Sequence, residues 1–111
     1  MVLKDYQEVA LHFLWRIDGK GASSRDVWMQ VNEDLQGKKT ISRASIINFL
    51  NSMVDEGVLN YTEITGKGGH RRIYSAKYDE AGFKEYVGRS VLENLLRDFP
   101  DETRKVIASV K

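Results

Sequence analysis

The chain has 111 residues, 41% of them hydrophobic, with one proline, no cysteine and a net charge of +1. That length suits one compact unit with a modest core and a helical extension, and the missing cysteines exclude disulfides and thiol redox sensing. With no signal peptide, long apolar span or low-complexity tract, the sequence reads as cytoplasmic, with no membrane insertion.

The first predicted element begins at Asp5-Tyr6-Gln7-Glu8, which has capping-box spacing. Tyr6, Val9, Ala10, Phe13, Leu14 and Ile17 then follow at helical periodicity, until Asp18-Gly19-Lys20-Gly21 ends the helix. Ser23-Ser24-Arg25-Asp26 offers a second cap, leading into Val27, Trp28, Val31 and Leu35. A Gly37-Lys38-Lys39 turn delivers the chain to Thr40-Ile41-Ser42, and Thr40-Ile41 is the expected short extra strand that pairs with a hairpin downstream.

Ser42 is placed to cap a third helix, Arg43–Glu56, which Gly57 stops because a residue there commonly needs positive φ. At ~100° per residue, Ile46, Phe49, Leu50 and Met53 form a buried stripe. The opposite side carries Ala44, Asn48 and Asn51, flanked by Ser45, Ile47 and Ser52, with no long acidic side chain until Asp55 and Glu56. Asn can pair bidentately with an adenine edge, Ser can donate or accept, and small methyl groups can meet a thymine methyl. Arg43 stands where phosphate contact is geometrically easy. An ordinary amphipathic helix with a neutral solvent face would show the same pattern.

Two strands are predicted next, Leu59–Ile64 and Arg71–Ala76, rich in β-branched and aromatic residues. The six residues between them include three glycines, and Lys67, His70, Arg71 and Arg72 cluster at the tip. Flexible cations on such a hairpin neutralise phosphates without reading sequence, although a mobile solvated turn would look alike. A nucleotide-binding loop is disfavoured: the Walker spacing is absent and the glycines join two strands instead of opening a helix.

The charge distribution supports the nucleic-acid reading better than the total does. Residues 1–37 hold four Lys/Arg against six Asp/Glu, residues 38–78 seven against three, and residues 79–111 six against seven. The cations thus concentrate where the third helix and hairpin lie.

In the C-terminal third, Phe83, Tyr86, Val87, Val91, Leu92, Leu95, Leu96 and Phe99 recur on a helical period. Pro100 ends that helix and suits the first turn of another, in which Val106, Ile107 and Val110 make a second apolar stripe. These stripes can fold back as plain core or pair with a second copy. A twofold dimer is favoured, because one reading head spans too few base pairs for tight discrimination.

The fold class that follows is mainly α with a small β-hairpin: a winged helix-turn-helix over residues 1–78, then C-terminal dimerisation helices over 79–111. The expected function is sequence-specific binding of double-stranded DNA. Lys38, Lys39, Ser42, Arg43, Ala44, Ser45, Asn48, Lys67, His70, Arg71 and Arg72 are the candidate DNA contacts. The candidate dimer interface comprises Phe83, Val87, Val91, Leu92, Leu95, Leu96, Phe99, Val106, Ile107 and Val110. Catalysis has no constellation to stand on, since His12 and His70 have no neighbouring nucleophile or carboxylate at recognisable spacing, and no metal or cofactor is implied. The rival reading is a winged helix used for protein contact within a larger assembly, anchored by Trp15, Trp28 and the tyrosines. The small polar face of the third helix argues against it.

The order of these features, with Tyr6-Gln7-Glu8-Val9 leading to Leu14-Trp15, Ser42-Arg43-Ala44-Ser45-Ile46 leading to Leu50, and Glu56-Gly57-Val58-Leu59 before the hairpin, resembles the BlaI/MecI/CopY penicillinase-repressor family. The resemblance runs from about Asp5 to Phe99. It implies a homodimeric transcriptional repressor, with the winged helix on a double-stranded DNA operator and the C-terminal helices making the dimer, Arg43–Glu56 as recognition helix, Ala44, Ser45 and Asn48 facing bases, and Thr65–Arg72 as wing. The absence of cysteine departs from the copper-responsive branch. In antibiotic-responsive members a membrane sensor leads to cleavage in the dimerisation helices, and Leu95–Pro100 lies in the similar place. Asp98 and Pro100 differ from the pattern there, so neither the inducer nor an upstream sensor protease is carried over.

Overall fold

The structure, a computed structural model, describes residues 3–66 and 69–110. Its elements in order are α1 (Asp5–Ile17), β1 (Ala22–Ser23), α2 (Ser24–Asp34), α3 (Arg43–Asp55), β2 (Leu59–Gly66), β3 (Gly69–Ala76), α4 (Glu80–Asp98) and α5 (Pro100–Ser109). Two compact units result, one ending at Glu80 and the other beginning at Ala81.

In the N-terminal unit, α1, α2 and α3 enclose the core with the sheet. Leu11, Leu14, Val27, Val31, Ile46 and Leu50 are fully buried, and the stripe expected on α3 is the one that faces inward. Tyr6 meets Phe49 edge to face at 6.3 Å, locking α1 to α3. Truncating a central member such as Leu50 to Ala would cost ~2–5 kcal/mol by transfer and cavity terms.

The cap of α1 is shifted by one residue from the sequence expectation. Lys4, not Asp5, is the N-cap: its backbone N–H donates to Gln7 Oε1 at 2.9 Å, while Gln7 N–H returns a bond to Lys4 O. Asp5 and Glu8 consequently sit inside the first turn, where acidic groups favour the positive end of the helix dipole. The second cap forms as read, with Ser23 Oγ accepting from Asp26 N–H at 3.2 Å.

The third strand of the sheet is not Thr40–Ile41. It is β1, which pairs antiparallel with β3 (Ala22 opposite Tyr74, Ser23 opposite Ile73) and gives the order β1-β3-β2. Ile41 is unavailable for a ladder because its backbone groups are bound to α2: Trp28 Nε1 donates to Ile41 O, and Asn32 bonds both Ile41 N–H and O. Gly21 makes the alternative possible. At φ +75°, a Cβ there would lie 2.7 Å from Ile73 Cγ2 and 3.0 Å from Tyr74 O, so only glycine lets β1 approach β3.

A Schellman motif closes α3: Gly57 N–H bonds Val54 O, Val58 N–H bonds Met53 O, and Gly57 takes φ +82°. Val58 and Leu59 are then buried as the chain enters β2. The hairpin is longer than the sequence suggests. Pairing continues beyond Ile64↔Arg71 through Thr65↔His70 to Gly66↔Gly69, absorbing into strands four residues of loop-like composition.

In the C-terminal unit, α4 runs to Asp98 and Pro100 opens α5, as the proline rule demands. Thr103 Oγ1 donates to Leu95 O at 3.0 Å across the junction. A groove of about 280 Å³ lies between the two helices, lined by Leu92, Leu95, Phe99, Glu102, Thr103, Val106 and Ile107. No helix among the described residues is long and apolar enough to cross a membrane.

Candidate nucleic-acid interface

The solvent side of α3 begins at Ser42, whose Oγ accepts from Ser45 N–H at 3.1 Å and shares a hydrogen bond with Ser45 Oγ at 2.9 Å. This satisfies an early helix amide and leaves Arg43 exposed in the first turn, with Ala44 and Asn48 exposed one turn apart along the face opposite Ile46, Leu50 and Met53. Ser45 is half-buried with its hydroxyl engaged by Ser42. Lys38 and Lys39 are exposed in the approach to the helix. Among the described residues, neither lysine nor Arg43 makes an ion pair.

Electrostatically, α3 is the only helix among the described residues with no acid in its first turn; α1, α2, α4 and α5 each carry at least one. Its free N-terminal amides and the positive end of its dipole are therefore not neutralised from within, which suits an approaching anion.

The hairpin presents its cations on both faces. His70 and Arg71 are exposed, and His70 Nδ1 lies 3.3 Å from Thr65 Oγ1. Lys67 lies outside the described residues. Arg72 is held differently. Its guanidinium stacks 4.0 Å above the Tyr61 ring and its Nη1 donates to Asn51 Oδ1 at 3.1 Å. The Tyr74 hydroxyl donates to the same oxygen at 2.5 Å.

Asn51, read from sequence as part of the open polar face, is thus half-buried and turned toward β3. Nothing local in the sequence signals this, because its partners lie 21 and 23 positions away. Burial pushes the Tyr74 phenol above its ordinary range, with the Arg72 charge and hydrogen bond pulling the other way.

The other sequence-marked groups fall elsewhere. His12 lies 3.8 Å from Glu80, a carboxylate brought to it only by the fold, and edge-on to Trp15. No group of three or more His, Cys, Asp or Glu among the described residues could hold a metal ion. In the C-terminal helices, Phe83 is buried within the chain and Val87 and Leu96 are half-buried. Val91, Leu92, Leu95, Phe99, Val106, Ile107 and Val110 are exposed, Phe99 and Val110 by 57% and 68%. Such a run of large apolar side chains exceeds the scattered ones ordinary on a monomer surface.

No protein-family model matches the sequence, and no curated protein matches it. Solved structures do resemble it in fold. The ORC1 protein of Aeropyrum pernix, solved in complex with DNA, aligns with a TM-score of 0.59 at 18% identity over 92% of this chain; the chain spans only 26% of that protein. PadR of Bacillus subtilis, solved in complex with operator DNA, aligns at 0.55 and 16% identity over all of this chain and 81% of its own. ZitR of Lactococcus lactis, a zinc-responsive MarR family member, aligns at 0.51 and 20% identity, covering 98% of this chain and 72% of its own. Helix-turn-helix, antiparallel hairpin and helical extension, in this order and this topology, give the chain a winged-helix fold, which it shares with these structures.

Proposed function

We propose that this protein is a sequence-specific DNA-binding transcriptional regulator. It acts as a homodimeric repressor, with residues 43–56 in the major groove of an inverted-repeat operator and the 65–72 wing on the backbone. The observation that carries this reading is the exposed start of α3. Arg43, Ala44 and Asn48 form a short, acid-free, hydrogen-bonding surface at the unneutralised end of a helix whose other face is fixed in the core. Lys38, Lys39, His70 and Arg71 flank it as exposed phosphate ligands.

The N-terminal winged helix, residues 1–78, is the reading head and residues 79–111 are the dimerisation region. The exposed stripe on α4 and α5 supports that division, since a second copy would bury it and bring two heads onto one duplex. The resemblance to the BlaI/MecI/CopY family points the same way, as do neighbours of this fold solved on DNA.

Titration of the wild type onto mixed-sequence duplex at two salt concentrations, followed by titration of the wild type and Asn48→Ala onto a site selected from random duplex, tests the proposal. Wild-type binding should weaken steeply with salt, and binding to a selected site should fall ~5- to 150-fold with Asn48→Ala, the equivalent of ~1–3 kcal/mol for a bidentate base contact. Asn48→Ala binding with unchanged affinity and sequence preference would remove α3 from the readout.

A further inference from the structure

Arg71 and Arg72 are adjacent in sequence, yet strand alternation sends them to opposite faces of the hairpin. Arg72 shares its face with Tyr74 and, across the ladder, with Tyr61, the partner of Tyr74. That face looks toward α3, where Arg72 and Tyr74 converge on one acceptor, Asn51 Oδ1. Arginine has only donors, so its bond fixes the Asn51 amide with the oxygen toward the strand. One of the five N–H donors of Arg72 is committed to Asn51 and one face of its guanidinium to the Tyr61 ring, which holds the group between the hairpin and α3. Arg71 is exposed and gives up no described contact of that kind.

We propose that Arg72 is a positioning residue that ties the wing to the recognition helix through Asn51, and that it does not itself neutralise phosphate. With Tyr74 it makes α3 and the hairpin one rigid reading head, so that the spacing between base contacts and backbone contacts is set before DNA arrives. This role rests on the DNA-binding reading for its purpose, but the tie itself exists in the free protein.

The test therefore has two arms, both on the full chain. In the first, without DNA, amide hydrogen exchange is followed in β2 and β3. Arg72→Ala and Asn51→Ala should each speed exchange of the paired amides near Tyr61 and Arg72 by about fivefold to tenfold, and the double variant no further. Asn51→Asp should restore wild-type exchange, because its carboxylate still accepts from both donors, and Arg71→Ala should leave exchange unchanged. Additive effects of Arg72→Ala and Asn51→Ala, or no effect of either, would overturn the tie.

In the second arm, binding to mixed-sequence duplex is measured against salt. Arg71→Ala should reduce the slope of log K on log salt by about 0.9, the loss of one phosphate contact, whereas Arg72→Ala should weaken binding at every salt and keep the wild-type slope. A slope reduced equally by Arg72→Ala would make Arg72 a phosphate ligand and overturn the proposal. Failure of the wild-type chain to bind any duplex would defeat the DNA-binding reading alone, and the exchange arm would still decide whether the tie exists.

Discussion

Asn32 and Ile41 are joined as two strand residues would be: Ile41 N–H donates to Asn32 Oδ1 at 2.8 Å, and Asn32 Nδ2 donates back to Ile41 O at 3.1 Å. One side chain of α2 thereby occupies both backbone polar groups of the segment that launches α3. Trp28 Nε1 adds a third bond to the same carbonyl at 2.8 Å. The turn of the helix-turn-helix is consequently held by α2 itself, which sets where Ser42 caps α3 and where Arg43, Ala44 and Asn48 emerge.

Asn32→Ala should cost ~1–3 kcal/mol, because the half-buried Ile41 N–H loses its acceptor while Trp28 keeps the carbonyl satisfied. Urea denaturation would show this as a lower midpoint at unchanged m-value. DNA affinity should fall by more than the stability loss accounts for, since α3 would no longer start from a fixed point.

That clasp also explains why Thr40-Ile41 is not the extra strand that its composition suggests. Thr40-Ile41 has strand-like composition, but its hydrogen-bonding groups are taken by residues nine and thirteen positions earlier, and no periodicity records that. Ala22–Ser23 carries little β propensity and becomes a strand because Gly21 permits close approach to β3. The three-helix stripe, the Ser23 and Ser42 caps, the Gly57 stop and the Pro100 break were legible because each depends on residues within a turn or two. The hairpin is longer than its composition suggests for the opposite reason: Thr65, Gly66, Gly69 and His70 look like loop residues, and only cross-strand pairing makes them strand. Exposure of Arg43, Ala44 and Asn48 followed from helical geometry, whereas the capture of Asn51 by Arg72 and Tyr74 required the fold.

Gly21→Ala and Gly57→Ala form a matched pair. Both positions have φ near +80°, where an L side chain costs ~1–2 kcal/mol, but a Cβ at Gly57 meets nothing within 4 Å while one at Gly21 meets Ile73 and the Tyr74 carbonyl. Gly57→Ala should therefore lose about that amount and Gly21→Ala distinctly more, accompanied by loss of β1 pairing. Denaturant midpoints and the exchange rates of the Ala22 and Ser23 amides check both parts.

Tyr74 makes stability depend on alkaline pH. Its folded-state pKa is raised above the ordinary 10.0, chiefly by burial, so the folded chain binds this proton more tightly than the unfolded one. The contribution is fully present below about pH 10 and is lost as pH rises through the folded value. Thermal unfolding should show the wild-type midpoint falling more steeply above about pH 10 than that of Tyr74→Phe, which lacks the titrating group. Parallel decline in the two proteins would mean that Tyr74 is not the responsible proton.

Charging the exposed tail stripe should separate assembly from folding. Leu95 lies 41% exposed in the groove between α4 and α5, so Leu95→Glu should leave the N-terminal unit intact while producing monomers with poor affinity for a two-half-site operator. Sedimentation analysis with a far-ultraviolet circular dichroism control checks this. A dimer that persists in Leu95→Glu would place the interface elsewhere.

The most direct test of DNA reading by a paired winged helix is selection of bound sequences from random duplex DNA, with the solution mass of the protein recorded on the same sample. The expected result is a dimer that recovers an inverted repeat, its half-sites spaced by a helical turn or a multiple of it. No enrichment, with binding that vanishes at moderate salt, would contradict it and move the function of this winged helix to protein contact.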